Sequence, residues 1–115
     1  MRRGELYLVD LEPSQGAEAN KTRPVIVISN DAANAAADRN GVGVITVVPV
    51  TSNVSRIYPF QVLLGGNEGG LDRESKAQIE QLRSVDVSRF GRRLGVLEKT
   101  TLRKVEAAIR LHLAL

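Results

Sequence analysis

The chain has no cysteine, no tryptophan and a single histidine, His112. Each absence closes a route. Without thiols there are no disulfides, no cysteine nucleophile and no zinc knuckle, so the redox state of the compartment is immaterial. With one histidine, a nuclease that uses a histidine pair as acid and base cannot be assembled, and His112 lies on or beside an apolar helical stripe where packing or capping is its ordinary use. Four aromatic residues, Tyr7, Tyr58, Phe60 and Phe90, are too few and too dispersed for a base-stacking platform. Carboxylates are not clustered either: Asp10 and Glu12 flank a strand end, while Glu68, Asp72 and Glu74 are scattered through loop sequence. No metal-ligand spacing results, and neither a metal nor another cofactor is expected. Asp10 and Glu12 also interrupt the apolar stretch that follows the basic start, so a signal-peptide core is not expected. No run approaches transmembrane length, and the cytoplasm is the expected location. The glycine-rich stretch Gly65–Gly70 lacks the Gly-Lys-Ser/Thr helix opening of a phosphate-binding P-loop.

What remains is ordinary in amount and informative in arrangement. At 115 residues the expectation is one domain, residues 1–115. With 43% hydrophobic and 25% charged residues the chain reads as globular. The net charge of +3 is mild, but seven basic residues between Arg83 and Lys104 face only Asp86 and Glu98. That local excess suits a polyanionic partner or, equally, a solvated basic face.

Local pattern predicts strands over Glu5–Leu11, Val25–Ser29, Val44–Val50, Pro59–Leu64, Ala77–Val85 and Gly91–Leu97. The nine residues from Ala77 alternate polar and apolar, which predicts one strand with a wet face carrying Gln78, Glu80 and Gln81. Asn30 is placed to cap a short helix over Asp31–Ala37. From about Lys99, Leu102, Val105, Ile109, His112 and Leu113 recur at helical spacing, predicting a terminal amphipathic helix. Several strands with short connections and one closing helix suggest a small, strongly curved antiparallel sheet or barrel.

The junction Lys21-Thr22-Arg23-Pro24 carries most of the functional information. It joins an eleven-residue polar loop, Glu12–Thr22, to the apolar run that starts at Val25. Loops of that length in small domains are usually functional. Pro24 holds Arg23 extended, and the guanidinium falls at the mouth of a strand that reads as buried, where an uncompensated charge is costly. The strand over Val44–Val50 delivers the hydroxyls of Thr51 and Ser52 at its own end. An always-charged, five-donor group near hydroxyls suits phosphate. Two plainer readings stand beside this one: a salt bridge from Arg23 to Asp10 or Glu12, and a strand-terminating turn at Thr51 and Ser52. If the two strands pair, their ends are neighbours, and the site suits metal-free phosphoryl transfer. Arg23 and Thr51 would stabilise charge on the phosphorane as an oxyanion hole does, and Glu18, the loop carboxylate near Arg23 in sequence, is a candidate base.

The order Arg3-Gly4-Glu5-Leu6-Tyr7, Gly16-x-Glu18 and Arg23-Pro24-Val25-x-Val27-Ile28-Ser29-Asn30-Asp31 resembles the MazF/PemK toxin family. Val48-Pro49-Val50-Thr51-Ser52, Tyr58-Pro59-Phe60-Gln61-Val62 and Gln78-Ile79-Glu80-Gln81-Leu82-Arg83-Ser84-Val85 extend the resemblance over nearly the whole chain. It implies a mainly β fold with helices, a small SH3-like antiparallel β-barrel of the CcdB/MazF type closed by the C-terminal helix. It implies a homodimer, a cognate acidic antitoxin with a disordered tail, and sequence-specific, metal-independent cleavage of single-stranded RNA. The expected products are a 2′,3′-cyclic phosphate and a 5′-hydroxyl. By motif, Arg23 and Thr51 fall on the family's catalytic arginine and threonine, and Glu18 on a loop glutamate used as acid or base. Thr22 stands where some members have histidine, which leaves Arg23 to protonate the leaving group. Asn20, Lys21, Thr22, Ser52, Asn53, Arg56 and Gln81 are the candidate RNA contacts, because amides, hydroxyls and cations suit splayed single strands. A gyrase inhibitor of CcdB type on the same fold, or a passive RNA-binding barrel, is the alternative. CcdB-type proteins finish in an aromatic-containing tail, whereas this chain ends Leu111-His112-Leu113-Ala114-Leu115.

Overall fold

The computed structural model describes all 115 residues. Strands run over Glu5–Asp10 (β1), Thr22–Val27 (β2), Val44–Thr51 (β3), Gln61–Leu64 (β4), Ser75–Gln78 (β5), Arg83–Asp86 (β6) and Phe90–Val96 (β7). Helices cover Asp31–Asn40 (α1) and Lys99–Leu113 (α2). The first helix begins where its cap was expected: the Asn30 side chain accepts a hydrogen bond from the Ala33 amide at 2.9 Å. It runs three residues past Ala37 because Gly41, at φ 65°, takes up the left-handed conformation that ends a helix cheaply.

All ladders are antiparallel, in the order β4-β5-β3-β2-β1-β7, with β6 also on β3. The order has two unpaired ends, so the closed barrel expected from the resemblance is an open sheet. Other contacts take the place of a closing ladder. Val105 and Ala108 of α2 are buried in one cluster with Val62 and Leu64 of β4, and Leu102 and Ile109 pack against it. At the other end a tight turn at Glu68–Gly70 presses its backbone onto β7: a Cβ on Gly70 would sit 2.0 Å from the Leu94 carbonyl oxygen. Glycine is required there by close approach as well as by φ +81°. Of the predicted helical stripe, His112 and Leu113 are exposed, though the His112 ring still packs obliquely on Phe60 at 5.1 Å between centroids.

The run Ala77–Val85 is likewise not one strand. A 3₁₀ turn at Ile79–Gln81 divides it into β5 and β6. Both halves lie along the same edge of β3, β5 on Val50–Thr51 and β6 on Val44–Val47. The turn lies where β3 carries Pro49, which has no amide hydrogen to offer a ladder. Ile79 is fully buried within it, and Glu80 is half-buried: one carboxylate oxygen accepts from Gln61 Nε2 at 2.7 Å and the other is buried.

The apolar strands are buried on both faces. Val25, Val27, Ile45 and Val47 join Val9 and Leu11 on one side, while Ile26, Val48 and Val50 join Leu6 on the other. Each fully buried Val or Ile contributes roughly 1.5–3 kcal/mol relative to exposure. This packing fixes the β2–β3 register at Val25↔Pro49, Ile26↔Val48 and Val27↔Val47. No helix is long and apolar enough to cross a membrane.

Candidate active site

Continuing the β2–β3 register by two residues sets Arg23 opposite Thr51, at the common end of the two strands. Thr22, Arg23, Thr51 and Ser52 line one cleft of about 200 Å³. The third wall is the segment from Leu71 to Ser75, which adds Asp72, Arg73 and the Ser75 hydroxyl.

Arg23 makes no salt bridge to Asp10 or Glu12. Instead its Nε donates to the Asn20 carbonyl at 2.8 Å and its Nη2 to the Asn20 side-chain oxygen at 3.1 Å. The half-buried guanidinium is thus oriented by a residue three positions earlier, keeps its charge uncompensated, and has donors left for an anion. Thr51 Oγ1 accepts from the Asn53 amide at 3.3 Å. The turn reading and the site reading of Thr51 are therefore compatible, because a hydroxyl that accepts this bond can still donate its own hydrogen.

The acidic loop residue nearest the strand end has a structural task. Glu12 accepts from the Ser14 amide (3.0 Å), the Ser14 hydroxyl (2.8 Å) and the Lys21 amide (2.9 Å). The Lys21 amide and then the Ser14 hydroxyl hold its carboxyl below the usual glutamate value. Lys21 takes φ 64°, a left-handed conformation uncommon outside glycine, and its carbonyl accepts from the Leu11 amide at 2.9 Å. The predicted basic stretch contributes to the same loop. Arg83 Nη1 donates to the Leu11 carbonyl at 3.3 Å, and Arg89 Nη1 donates to the carbonyls of Asp10 and Glu12. Arg93 pairs with Glu5 at 2.5 Å. Burial would raise the Glu5 pKa, but hydrogen bonds from Arg93 and the Arg2 amide outweigh it and leave the carboxyl below its usual value. Three of the seven basic residues thus brace the fold, and the uniform basic face reduces to the remainder.

The other candidates are distributed around the cleft. Glu18 is exposed, accepts from the Gln15 amide at 2.7 Å, and lines a separate cavity of about 290 Å³ with Glu80, Gln81 and Arg83. Gln81 straps the loop: its Oε1 accepts from the Ala19 amide at 2.8 Å and its Nε2 donates to the Ala17 carbonyl at 2.9 Å. Asn53 accepts from the Ser55 amide and hydroxyl. Arg56 stands over the Tyr58 ring at 4.6 Å, and its carbonyl accepts from Lys76 Nζ at 2.7 Å. Lys76, only 8% exposed, is a buried cation beneath that loop, and neither it nor Arg73 was singled out by sequence reasoning. For Arg73 the one available signal is the charged run Asp72-Arg73-Glu74 directly after Leu71, since nothing local ties it to residue 23. No group of three or more histidine and carboxylate side chains converges anywhere in the chain. A larger, mostly apolar cavity of about 410 Å³ lies elsewhere, between β4 and α2, lined among others by Val62, Leu63, Ala108 and Leu111.

An antiparallel sheet that ends in a guanidinium and hydroxyls around a small polar cleft presents donors of the kind that suit an oxygen-rich anion. The chain belongs to the family described as PemK-like, MazF-like toxin of type II toxin–antitoxin system, whose model matches residues 2–113. It is 53% identical to Endoribonuclease MazF9 of Mycobacterium tuberculosis over 115 residues, covering 100% of this chain and 98% of that one. Among solved structures, MazF from Deinococcus radiodurans superposes with a TM-score of 0.83 at 27% identity, covering 100% of this chain and 97% of the other. An endoribonuclease in complex with its cognate antitoxin, from a mycobacterial species, shares the fold at a TM-score of 0.78 and 22% identity, covering 100% and 96%.

Proposed function

We propose that this chain, residues 1–115 acting as one domain, is the endoribonuclease toxin of a type II toxin–antitoxin pair. It cleaves single-stranded RNA at a short recognition sequence in the cytoplasm and so inhibits translation and growth. The observation that carries the reading is the meeting of Arg23 and Thr51 in one cleft, with the guanidinium oriented by Asn20 and engaged in no salt bridge.

The ribose 2′-oxygen attacks the adjacent phosphorus and the bond to the 5′-oxygen breaks, leaving a 2′,3′-cyclic phosphate and a 5′-hydroxyl. Negative charge grows on the non-bridging oxygens, and the unused N–H groups of Arg23 with the Thr51 hydroxyl stabilise it in place of a metal ion. Glu18 takes the 2′-hydroxyl proton. For this it must leave its Gln15 amide partner and the neighbouring cavity, which makes rearrangement of the Glu12–Thr22 loop part of RNA binding. With no histidine in the cleft, Arg23 is the residue left to deliver a proton to the departing 5′-oxygen. Lys21, Thr22, Ser52, Asn53 and Arg56 contact the strand. Asn20 and Gln81 act by holding the loop as well as by any contact of their own.

The protein works as a homodimer, and exposed Leu63, Leu111, Leu113 and Leu115 supply apolar surface for association. Its cognate antitoxin carries an acidic, disordered tail that binds over the cleft and blocks RNA; such inhibition should weaken as salt rises. Incubating the protein with a long unstructured RNA in EDTA and mapping 5′ ends tests the reading. Discrete cuts with 5′-hydroxyl ends are expected. No cleavage, with gyrase inhibition or RNA binding alone in its place, would contradict it.

A further inference from the structure

The third wall of the cleft includes a second arginine, Arg73, beside the cavity that Arg23 lines. The backbone there is fixed at both ends. Leu71 is buried and its amide donates to the Glu68 carbonyl at 3.0 Å, while Ser75, 3% exposed, opens β5 and donates its hydroxyl to the Arg73 carbonyl at 3.0 Å. The Arg73 side chain is nevertheless 70% exposed, and its one charged partner is Asp72, at 3.4 Å and 87% exposed. A pair this wet is weak, so the guanidinium can exchange one anion for another at little cost. Arg23 contrasts with it, being half-buried and tied through two of its nitrogens to Asn20. An RNA strand carries a phosphate at every nucleotide. With Arg23, Thr51 and Ser52 gathered on one phosphate, the next along the strand needs its own cation at the rim, and Arg73 is the cation the cleft provides.

We propose that Arg73 is an RNA-binding residue that exchanges Asp72 for the backbone phosphate flanking the one held by Arg23 and Thr51. The inference rests on the endoribonuclease reading above and extends it to a residue outside the family motifs. Arg73 makes this contact in the bound ground state, so its loss falls on affinity and not on the chemical step. Asp72 is a built-in competitor whose removal acts in the opposite direction.

The test uses the full chain and a short RNA that contains a mapped cleavage site. Kd is measured over a range of salt with the reacting nucleotide 2′-deoxy, and the single-turnover rate is measured at saturating intact RNA. Arg73→Ala should weaken binding roughly fivefold to tenfold at low salt and lower the slope of log Kd against log salt by about 0.7, the value for one phosphate contact on a single strand. Its saturated rate should stay within about twofold of wild type. Arg73→Lys should keep the slope, and Asp72→Asn should tighten binding, a gain that disappears in the Arg73→Ala background. An unchanged Kd and slope in Arg73→Ala, or a fall in saturated rate at constant Kd, would overturn the proposal. A wild-type protein that cuts no RNA but binds an unstructured one with the same dependence on Arg73 would contradict the endoribonuclease reading alone, because the exchange is scored on Kd.

Discussion

The polar loop Glu12–Thr22 and the strands it feeds are held by opposite means. β2 and β3 are fixed by apolar side chains buried on both faces, which set register without regard to direction of any one group. The loop buries little beyond Ala19 and is tied by hydrogen bonds to the Glu12 carboxylate, to Gln81 and, at its Glu12 carbonyl, to Arg89. Arg23 lies at the junction and takes something from each. The strand register decides which residue it faces, and the loop, through Asn20, decides how its guanidinium is turned. Hydrophobic packing supplies position, while directional bonds supply orientation, and catalysis by charge stabilisation requires both.

Ile26 is fully buried, so Ile26→Ala is expected to cost about 2–5 kcal/mol of stability in a denaturant titration, as a cavity in a close-packed core does. An effect below about 1 kcal/mol would mean that the register is held by something else. At the junction, Arg23→Ala is expected to lower the RNA cleavage rate by about 100-fold or more with the thermal midpoint nearly unchanged; a folded variant that cuts at wild-type rate refutes its role. From the loop side, Asn20→Ala should lower kcat by roughly 10-fold, because it frees the guanidinium to wander, and Asn20→Asp should recover part of that. An Asn20→Ala protein with altered cleavage sequence and unchanged kcat would instead make Asn20 a base-reading residue.

The smallest effect concerns pH. The Glu12 carboxyl lies below its ordinary value in the folded protein, so the loop tether it provides is complete above the unfolded glutamate pKa and lost as pH falls through the lower folded one. In an NMR titration the Lys21 and Ser14 amides should shift with a midpoint below about 4.3, the unperturbed glutamate value, and Glu12→Gln should abolish the step. A midpoint above that value would contradict the bonding described.

Much of this architecture is legible from local pattern, and the failures share a cause. Pro24 flags a strand start that pairing with β1 in fact moves two residues earlier, to Thr22, and Thr51-Ser52 flags a strand end, so the two arms of the cleft stand out before any topology is known. Asn30 announces α1, although its length depends on Gly41 adopting a left-handed conformation. Closure of the sheet, by contrast, depends on whether β4 meets β7, and residues some 30 apart carry no local record of that. Alternation over Ala77–Val85 looks the same whether the run is continuous or stepped by a 3₁₀ turn beside Pro49. The basic stretch from Arg83 reads as a face, but two of its arginines reach carbonyls of Asp10, Leu11 and Glu12 across the fold. Arg73 is hidden for the same reason, since its significance is its nearness to a residue 50 positions away.

Charge stabilisation in this cleft requires Arg23 and Thr51 to act on one reacting group, and a double-mutant cycle measures that directly. Single-turnover cleavage rates at saturating RNA are compared for wild type, Arg23→Ala, Thr51→Val and the double variant. Groups that stabilise the same phosphorane should be coupled, the double variant losing clearly less than the product of the two single losses. Losses that simply multiply would show that the two side chains work independently.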